Sequence, residues 1–313
     1  MSSKIAMLFP GQGSQSVGML SDLAAGHPVV RQTFEEASDR LGFDLGRLIS
    51  EGPIEQLNQT ENTQPAMLAA GIASWRVWRE QGGGMPAVMA GHSLGEYSAL
   101  VAAGVLSFAD AVEIVRLRGR YMQEAVPEGS GAMAAILGLD DDQVRQLCDE
   151  AAGDEVVEAV NFNAPGQVVI AGDRSAVERA MQAAKAAGAR RALPLPVSVP
   201  SHCSLMRPAA ERLAEALAGV TLAPPRVPVL HNVSVAAESD PTAIAQRLVE
   251  QLHQPVRWVE TVTTMRDQGA STLLEAGPGR VLTGLCKRID KSLNALAVFD
   301  TASLEKALEA SHA

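Results

Sequence analysis

At 313 residues the chain can bury one sizeable core, or a large body carrying a smaller insert. With 47% apolar and 20% charged residues it has the composition of a soluble globular protein, and a formal charge of −10 argues against general nucleic-acid binding, which asks for a basic surface. Cys148, Cys203 and Cys286 form no metal or disulfide spacing, no apolar run reaches transmembrane length, and Ile5–Phe9 is too short for a signal-peptide core; the expectation is a cytoplasmic protein without metal or membrane partner.

Lys4–Phe9 reads as a strand ending in the glycine-rich turn Pro10-Gly11-Gln12-Gly13. Helical periodicity follows over 28–41 and 63–81, then a short apolar strand at Ala87–Ala90 and a helical segment after Ser93. The stretch FADAVEIVRLRGRYMQEAV (108–126) is an amphipathic helix. From there the pattern changes. Strand Ala132–Leu139, helix Asp141–Ala152, strands Val156–Phe162 and Gln167–Ala171, helix Ser175–Ala187 and strand Arg191–Leu195 give a βαββαβ order, that of a ferredoxin-like unit. An amphipathic helix follows Ser201-His202, and strands near 227–233, 271–276 and 294–299 then alternate with helices near 241–252, 259–268 and 279–289. Such alternation implies a mostly parallel sheet covered by helices. The expected fold is α/β: a large body from residues 1–128 and 198–313, with a ferredoxin-like insert at 129–197 and a ligand cleft between them.

Gly91-His92-Ser93-Leu94-Gly95 lies between a strand and a helix, the context a G-x-S-x-G nucleophile elbow requires, which makes the large body α/β-hydrolase-like. Ser93 would sit at a helix N-terminus, where free N–H groups favour developing negative charge. The N–H of Leu94 is the natural first oxyanion donor, and that of Gln12, from the turn after the first strand, the best second. A turn that merely joins strand to helix is the alternative reading of each.

A serine needs a base. His27 and His312 fall in a loop and at the chain end, and His92 points away from its neighbour Ser93, supporting the turn from behind. His202 follows an extended Pro-rich stretch and precedes a helix, whose N-terminus would disfavour an imidazolium. It therefore leads over His231 and His253, with neighbouring Cys203 read as a small buried filler. No acidic third member follows; the stretch LVEQLHQPVRW offers Gln251 and main-chain carbonyls that could fix the tautomer of His202.

Arg118 falls on the apolar stripe of its helix, at i+4 from Ile114 and i−4 from Met122, while Arg116 and Arg120 lie where Glu113 and Glu124 can pair with them. A buried guanidinium needs a carboxylate, from a distant acidic residue or from a substrate. In the second case a substrate lacking it would forfeit roughly 3–5 kcal/mol.

FPGQGSQ (9–15), GHSLGEYSAL (91–100), RLRGRYMQ around Arg118, VSVPSHC (197–203) and EAGPGRVLTGL (275–285) occur in order in one chain. Together they resemble the malonyl-CoA:acyl carrier protein transacylases of fatty acid synthesis, over nearly the whole length. The resemblance implies Ser93 as nucleophile, His202 as base, the main-chain carbonyl of Gln251 as its orienter, the N–H groups of Gln12 and Leu94 as oxyanion hole, and Arg118, with Met122 beside it, as the malonyl site. It further implies ping-pong transfer from malonyl-CoA to the phosphopantetheine thiol of an acidic acyl carrier protein, by a monomer with no cofactor. The carrier would dock on a local basic patch, for which Arg190-Arg191 and Lys287-Arg288 are candidates. The competing readings are an esterase or thioesterase using the same elbow, a non-catalytic carrier-binding protein, and a transacylase serving polyketide synthesis.

Overall fold

A computed structural model describes residues 4–197 and 199–312; residues 1–3, 198 and 313, which fall within the expected large body, lie outside it. The strands are β1 (Lys4–Phe9), β2 (Val88–Gly91), β3 (Gly131–Leu137), β4 (Val157–Ala164), β5 (Gln167–Asp173), β6 (Arg191–Pro194), β7 (Val229–Leu230), β8 (Ala270–Ala276) and β9 (Asn294–Val298). Five of them form a sheet in the order β7-β2-β1-β8-β9 with every pairing parallel. Parallel strands need crossovers, and the helices that supply them bury both faces. Along β1, Met7 and Phe9 join one core with Pro28–Leu41, Thr60–Glu80 and Phe108–Glu124, while Ala6 and Leu8 face Trp258–Asp267 and Val281–Ile289.

The other four strands form an antiparallel sheet in the order β4-β5-β3-β6. Val168 and Ile170 of β5 pack with the helices Asp141–Ala152 and Arg174–Ala186. Val169 and Ala171, on the opposite face, pack against Cys203, the residue after His202. β4 is also stitched to the large body, since Phe162 N–H donates to Val256 O (3.0 Å) and Val256 N–H to Val160 O (2.8 Å). The small sheet thus roofs the segment carrying His202.

Three expected elements differ. The strand near 227–233 shrinks to Val229–Leu230: Pro224, Pro225 and Pro228 lack the N–H a ladder uses, and His231 already turns, its N–H donating to Ala236 O (3.1 Å). The helix near 279–289 starts at Val281, because Gly279 holds a left-handed φ of 82°. The helix after His202 starts at Arg207, preceded by a 3₁₀ turn at Ser204–Met206. Short helices at Ser21–Gly26, Leu45–Glu51 and Ile54–Leu57 went unread because they span too few residues to establish a period.

Candidate active site

β2 ends at Gly91 and the next helix, Gly95–Ala102, begins four residues on. Only backbone without side chains fits so tight a reversal. A Cβ on Gly91 would lie 1.8 Å from the Gly95 carbonyl carbon, and one on Gly95 2.0 Å from Phe9 O. Ser93, at the apex, takes a left-handed φ of 51°, strain that a surrounding frame must hold. Asn232 supplies the frame by accepting from Ser93 N–H (2.7 Å) and donating to Gly91 O (2.7 Å). His92 turns away from Ser93 as expected, with Nε2 on Asn163 Oδ1 of β4 (2.7 Å) and its ring edge-on to Trp258. Burial, opposed by the Asn163 bond, lowers its pKa.

Ser93 Oγ lies 2.7 Å from His202 Nε2, and His202 Nδ1 lies 2.7 Å from the main-chain oxygen of Gln251. Gln251 closes the helix Pro241–Gln251, whose last carbonyls lack helical donors and can therefore serve a side chain. His202 also has a left-handed φ, 69°, and its N–H donates to Leu252 O (2.9 Å). Burial drives its pKa down to about 3, with Arg118 adding repulsion and the Gln251 carbonyl opposing. The helix start expected to keep His202 neutral is five residues away; burial and Arg118 do it instead, beside a carbonyl-rich helix end that favours the imidazolium once a proton arrives.

His231 does not face Ser93 but bonds Glu96 Oε1 through Nδ1 (2.7 Å). His253 is half-buried, and among the described residues Ser93 Oγ has only His202 and Arg118 as partners. Cys203 is buried, its Sγ on Pro200 O (3.1 Å), and burial pushes its thiol up to about 12, which makes it a packing group.

Arg118 is 1% exposed. Its Nη1 donates to Gln64 Oε1 (2.9 Å), and its Nη2 to Gln251 Oε1 (3.0 Å) and Ser93 Oγ (3.3 Å). Nε has no partner among the described residues, and the guanidinium carbon stands 5.6 Å from the Tyr97 ring centroid. Burial lowers its pKa, with Tyr97 and Glu96 opposing. No carboxylate touches it, so the distant acidic partner allowed by the sequence is not present among the described residues. Met122 is buried one turn on, and its Sδ receives Gln64 Nε2 (3.5 Å), which leaves the Gln64 oxygen for Arg118. On the outer face Arg120 pairs with Glu124, but Glu113 pairs with Arg40 and Arg116 donates to Leu41 O instead.

Gln12 and Leu94 flank the elbow. Gly11 packs so closely on the His92 carbonyl that a Cβ would approach its oxygen to 2.5 Å, which brings Gln12 alongside. Neither the Gln12 nor the Leu94 N–H donates to a protein acceptor among the described residues. Gln64, Glu96, Asn163 and Asn232 were not singled out in the sequence, although Glu96, a lone charge in an apolar helix, gives the same signal as Arg118.

A serine bonded to a neutral histidine, beside two unused N–H donors, is the apparatus of enzymes that pass acyl groups through a serine ester. The model of the acyl transferase domain matches residues 6–305. The chain is 60% identical over 306 residues to the malonyl CoA-acyl carrier protein transacylase of Salmonella typhimurium, covering 98% of this chain and 99% of that one. An acyl carrier protein S-malonyltransferase from Vibrio cholerae, solved by crystallography, superposes with a TM-score of 0.95 at 60% identity, covering 97% and 99%. A malonyl-transacylase solved with a type II PKS acyl-carrier protein gives 0.97 at 61%, covering 98% and 99%. The chain belongs to the acyl transferase family, and within it to the malonyl CoA-acyl carrier protein transacylases.

Proposed function

We propose that this enzyme transfers malonyl from malonyl-CoA to the phosphopantetheine thiol of an acyl carrier protein through a malonyl ester on Ser93. The observation that carries the choice of acyl group is Arg118: a buried guanidinium held, among the described residues, only by neutral groups and touching Ser93 Oγ. An acyl ester on that oxygen with a carboxylate two carbons beyond its carbonyl would meet the fork directly, with Met122 walling the site through Gln64.

Ser93 Oγ attacks the thioester carbonyl while its proton passes to His202 Nε2, and the Nδ1–H stays on the Gln251 carbonyl. The N–H groups of Gln12 and Leu94 receive the oxyanion. On collapse the C–S bond breaks, and the CoA thiolate leaves with the proton from His202. The carrier's thiol then runs the same steps in reverse, releasing Ser93. No step calls for a metal or cofactor. Cys203 packed under the small sheet supports a dry site that slows hydrolysis.

In the finer description of the fold, the body is α/β-hydrolase-like and the insert, 129–197, ferredoxin-like. The elbow supports the first and the order β4-β5-β3-β6 the second. For carrier docking, Arg190-Arg191 and Lys287-Arg288 are exposed and lie on neighbouring elements. Leu137 pairs with both Arg191 and Gln167, and Gln167 Oε1 accepts from Arg288. That convergence supports one basic patch able to receive an acidic partner. No helix among the described residues is long and apolar enough to cross a membrane. The reading as a monomer of the cytoplasm is carried by the family resemblance alone. A fatty-acid carrier is the first reading. The similar transacylase solved with a type II PKS carrier favours a polyketide carrier as the second.

Intact mass after mixing with malonyl-CoA tests the proposal. One malonyl adduct on the wild type and none on Ser93→Ala is expected. Free malonate accumulating without an adduct would indicate a hydrolase, and neither adduct nor turnover a binding protein.

A further inference from the structure

Arg118 and Glu96 are both buried, and among the described residues neither meets an opposite formal charge on an arginine, lysine or carboxylate. One amide stands between them. Gln251 offers its oxygen to Arg118 Nη2 (3.0 Å), and its nitrogen to Glu96 Oε2 (2.8 Å) and to the Ser93 carbonyl (3.0 Å). The amide can face only this way, because a guanidinium only donates and a carboxylate only accepts. Its dipole then bridges anion and cation, and in a low-dielectric interior such chains strengthen each member. His231 meets the carboxylate through one ring nitrogen: Nδ1 bonds Glu96 Oε1 (2.7 Å), while Nε2 has no acceptor among the described residues for a second ring proton. A carboxylate in direct contact would stabilise Arg118 more, but it would occupy the fork.

We infer that Glu96 is the resting counter-charge of Arg118, held one amide away by Gln251, so that the guanidinium stays ionised in the acyl-free enzyme while its fork stays open for the substrate's carboxylate. Glu96 touches neither substrate nor Ser93 Oγ; it is a positioning residue, and its role rests on the reading of Arg118 as the malonyl clamp.

The test compares wild type, Glu96→Gln, Arg118→Met and the double variant by unfolding midpoint and by the malonyl:acetyl ratio on Ser93 when both CoA esters compete. Glutamine keeps the volume: its oxygen can accept from Asn232 and Gln251, and its nitrogen can donate to His231 Nδ1 once the ring proton moves to Nε2, a cost common to both backgrounds that cancels when they are compared. Glu96→Gln alone should lower the midpoint and raise the ratio about threefold or more, as coupled neighbours do, because the incoming carboxylate becomes the guanidinium's only answer. In the Arg118→Met background the same change should lower the midpoint by clearly less, because it also removes an anion that has lost its cation, and leave the ratio unmoved. A merely structural Glu96 would lower the midpoint equally in both backgrounds, and that result overturns the inference. So does a ratio that stays or falls in Glu96→Gln while Arg118→Met collapses it. An Arg118→Met ratio equal to wild type would remove the clamp reading itself. Should Glu96→Gln alone not fold, a folded double variant supports the inference and an unfolded one refutes it.

Discussion

Gly11→Ala probes the proposed oxyanion hole without touching serine, histidine or arginine. The added Cβ would start 2.5 Å from the His92 oxygen, and ordinary contact begins near 3.4 Å, so the Pro10–Gly13 turn must retreat by 0.9 Å from an elbow that cannot yield. Gly95 packs against Phe9 O on one side and Asn232 grips Ser93 on the other. A hydrogen bond of about 2.9 Å from Gln12 N–H to the oxyanion would stretch to about 3.8 Å, outside bonding range. Loss of one such donor costs about 2.7–4 kcal/mol, or a hundred- to a thousandfold in kcat. KM for malonyl-CoA should change little, since the donor acts on charge that forms only in the transition state. The assay is stopped-flow release of CoA at saturating substrate, with the unfolding midpoint as control. A folded variant whose acylation rate stays within threefold of wild type would refute the assignment of Gln12.

Arg118→Ala should turn labelling from malonyl towards acetyl by two to three orders of magnitude, from the roughly 3–5 kcal/mol carried by a buried ion pair; competition labelling read by mass checks it. His202, held down to about 3, predicts that Ser93 reacts with a neutral phosphonylating reagent at a rate flat from pH 8 to 5, where an ordinary imidazole would have half-titrated near 6.5. The same depressed pKa means that the unfolded chain binds the proton first. The stability contribution is complete above about 6.5 and falls as pH drops towards 3, which denaturant midpoints across that window would reveal. Glu275→Ala should cost about 1–3 kcal/mol in urea unfolding, because it strands buried donors. The carboxylate now accepts from Leu282 N–H, Thr283 N–H and Thr283 Oγ at the start of the helix Val281–Ile289.

The parts of the site that one stretch of chain determines were legible in advance. The elbow could be read because its glycines, strand and helix are contiguous, and Arg118 because helical spacing puts a charge on an apolar stripe. Parallel strands such as β1 and β8 announce themselves as short apolar runs. Elements defined by distant partners were not legible in the same way. Asn232 matters because it reaches Ser93 across 139 positions, and Gln64 because it meets Arg118 across 54. Nothing local to either residue encodes those separations. The depression of the His202 pKa was anticipated, but its cause was misassigned: a helix start can be read locally, whereas burial beneath β4 and β5 cannot.

β3 and β6 are paired neighbours, so the chain enters the antiparallel sheet and leaves it at one place. Ser93 and His202 are 109 residues apart, and an unfolded chain would have to close that whole loop to join them. Once Gly131–Pro194 has folded, the slack that remains is about 46 residues, which cuts the entropic cost of closure by about 0.8 kcal/mol, a roughly fourfold gain in encounter. The antiparallel sheet is therefore a clasp in the folding sense: loosening the helices packed on it, as by Val144→Ala, should slow recovery of the serine–histidine contact on refolding even though no atom of the pair has changed.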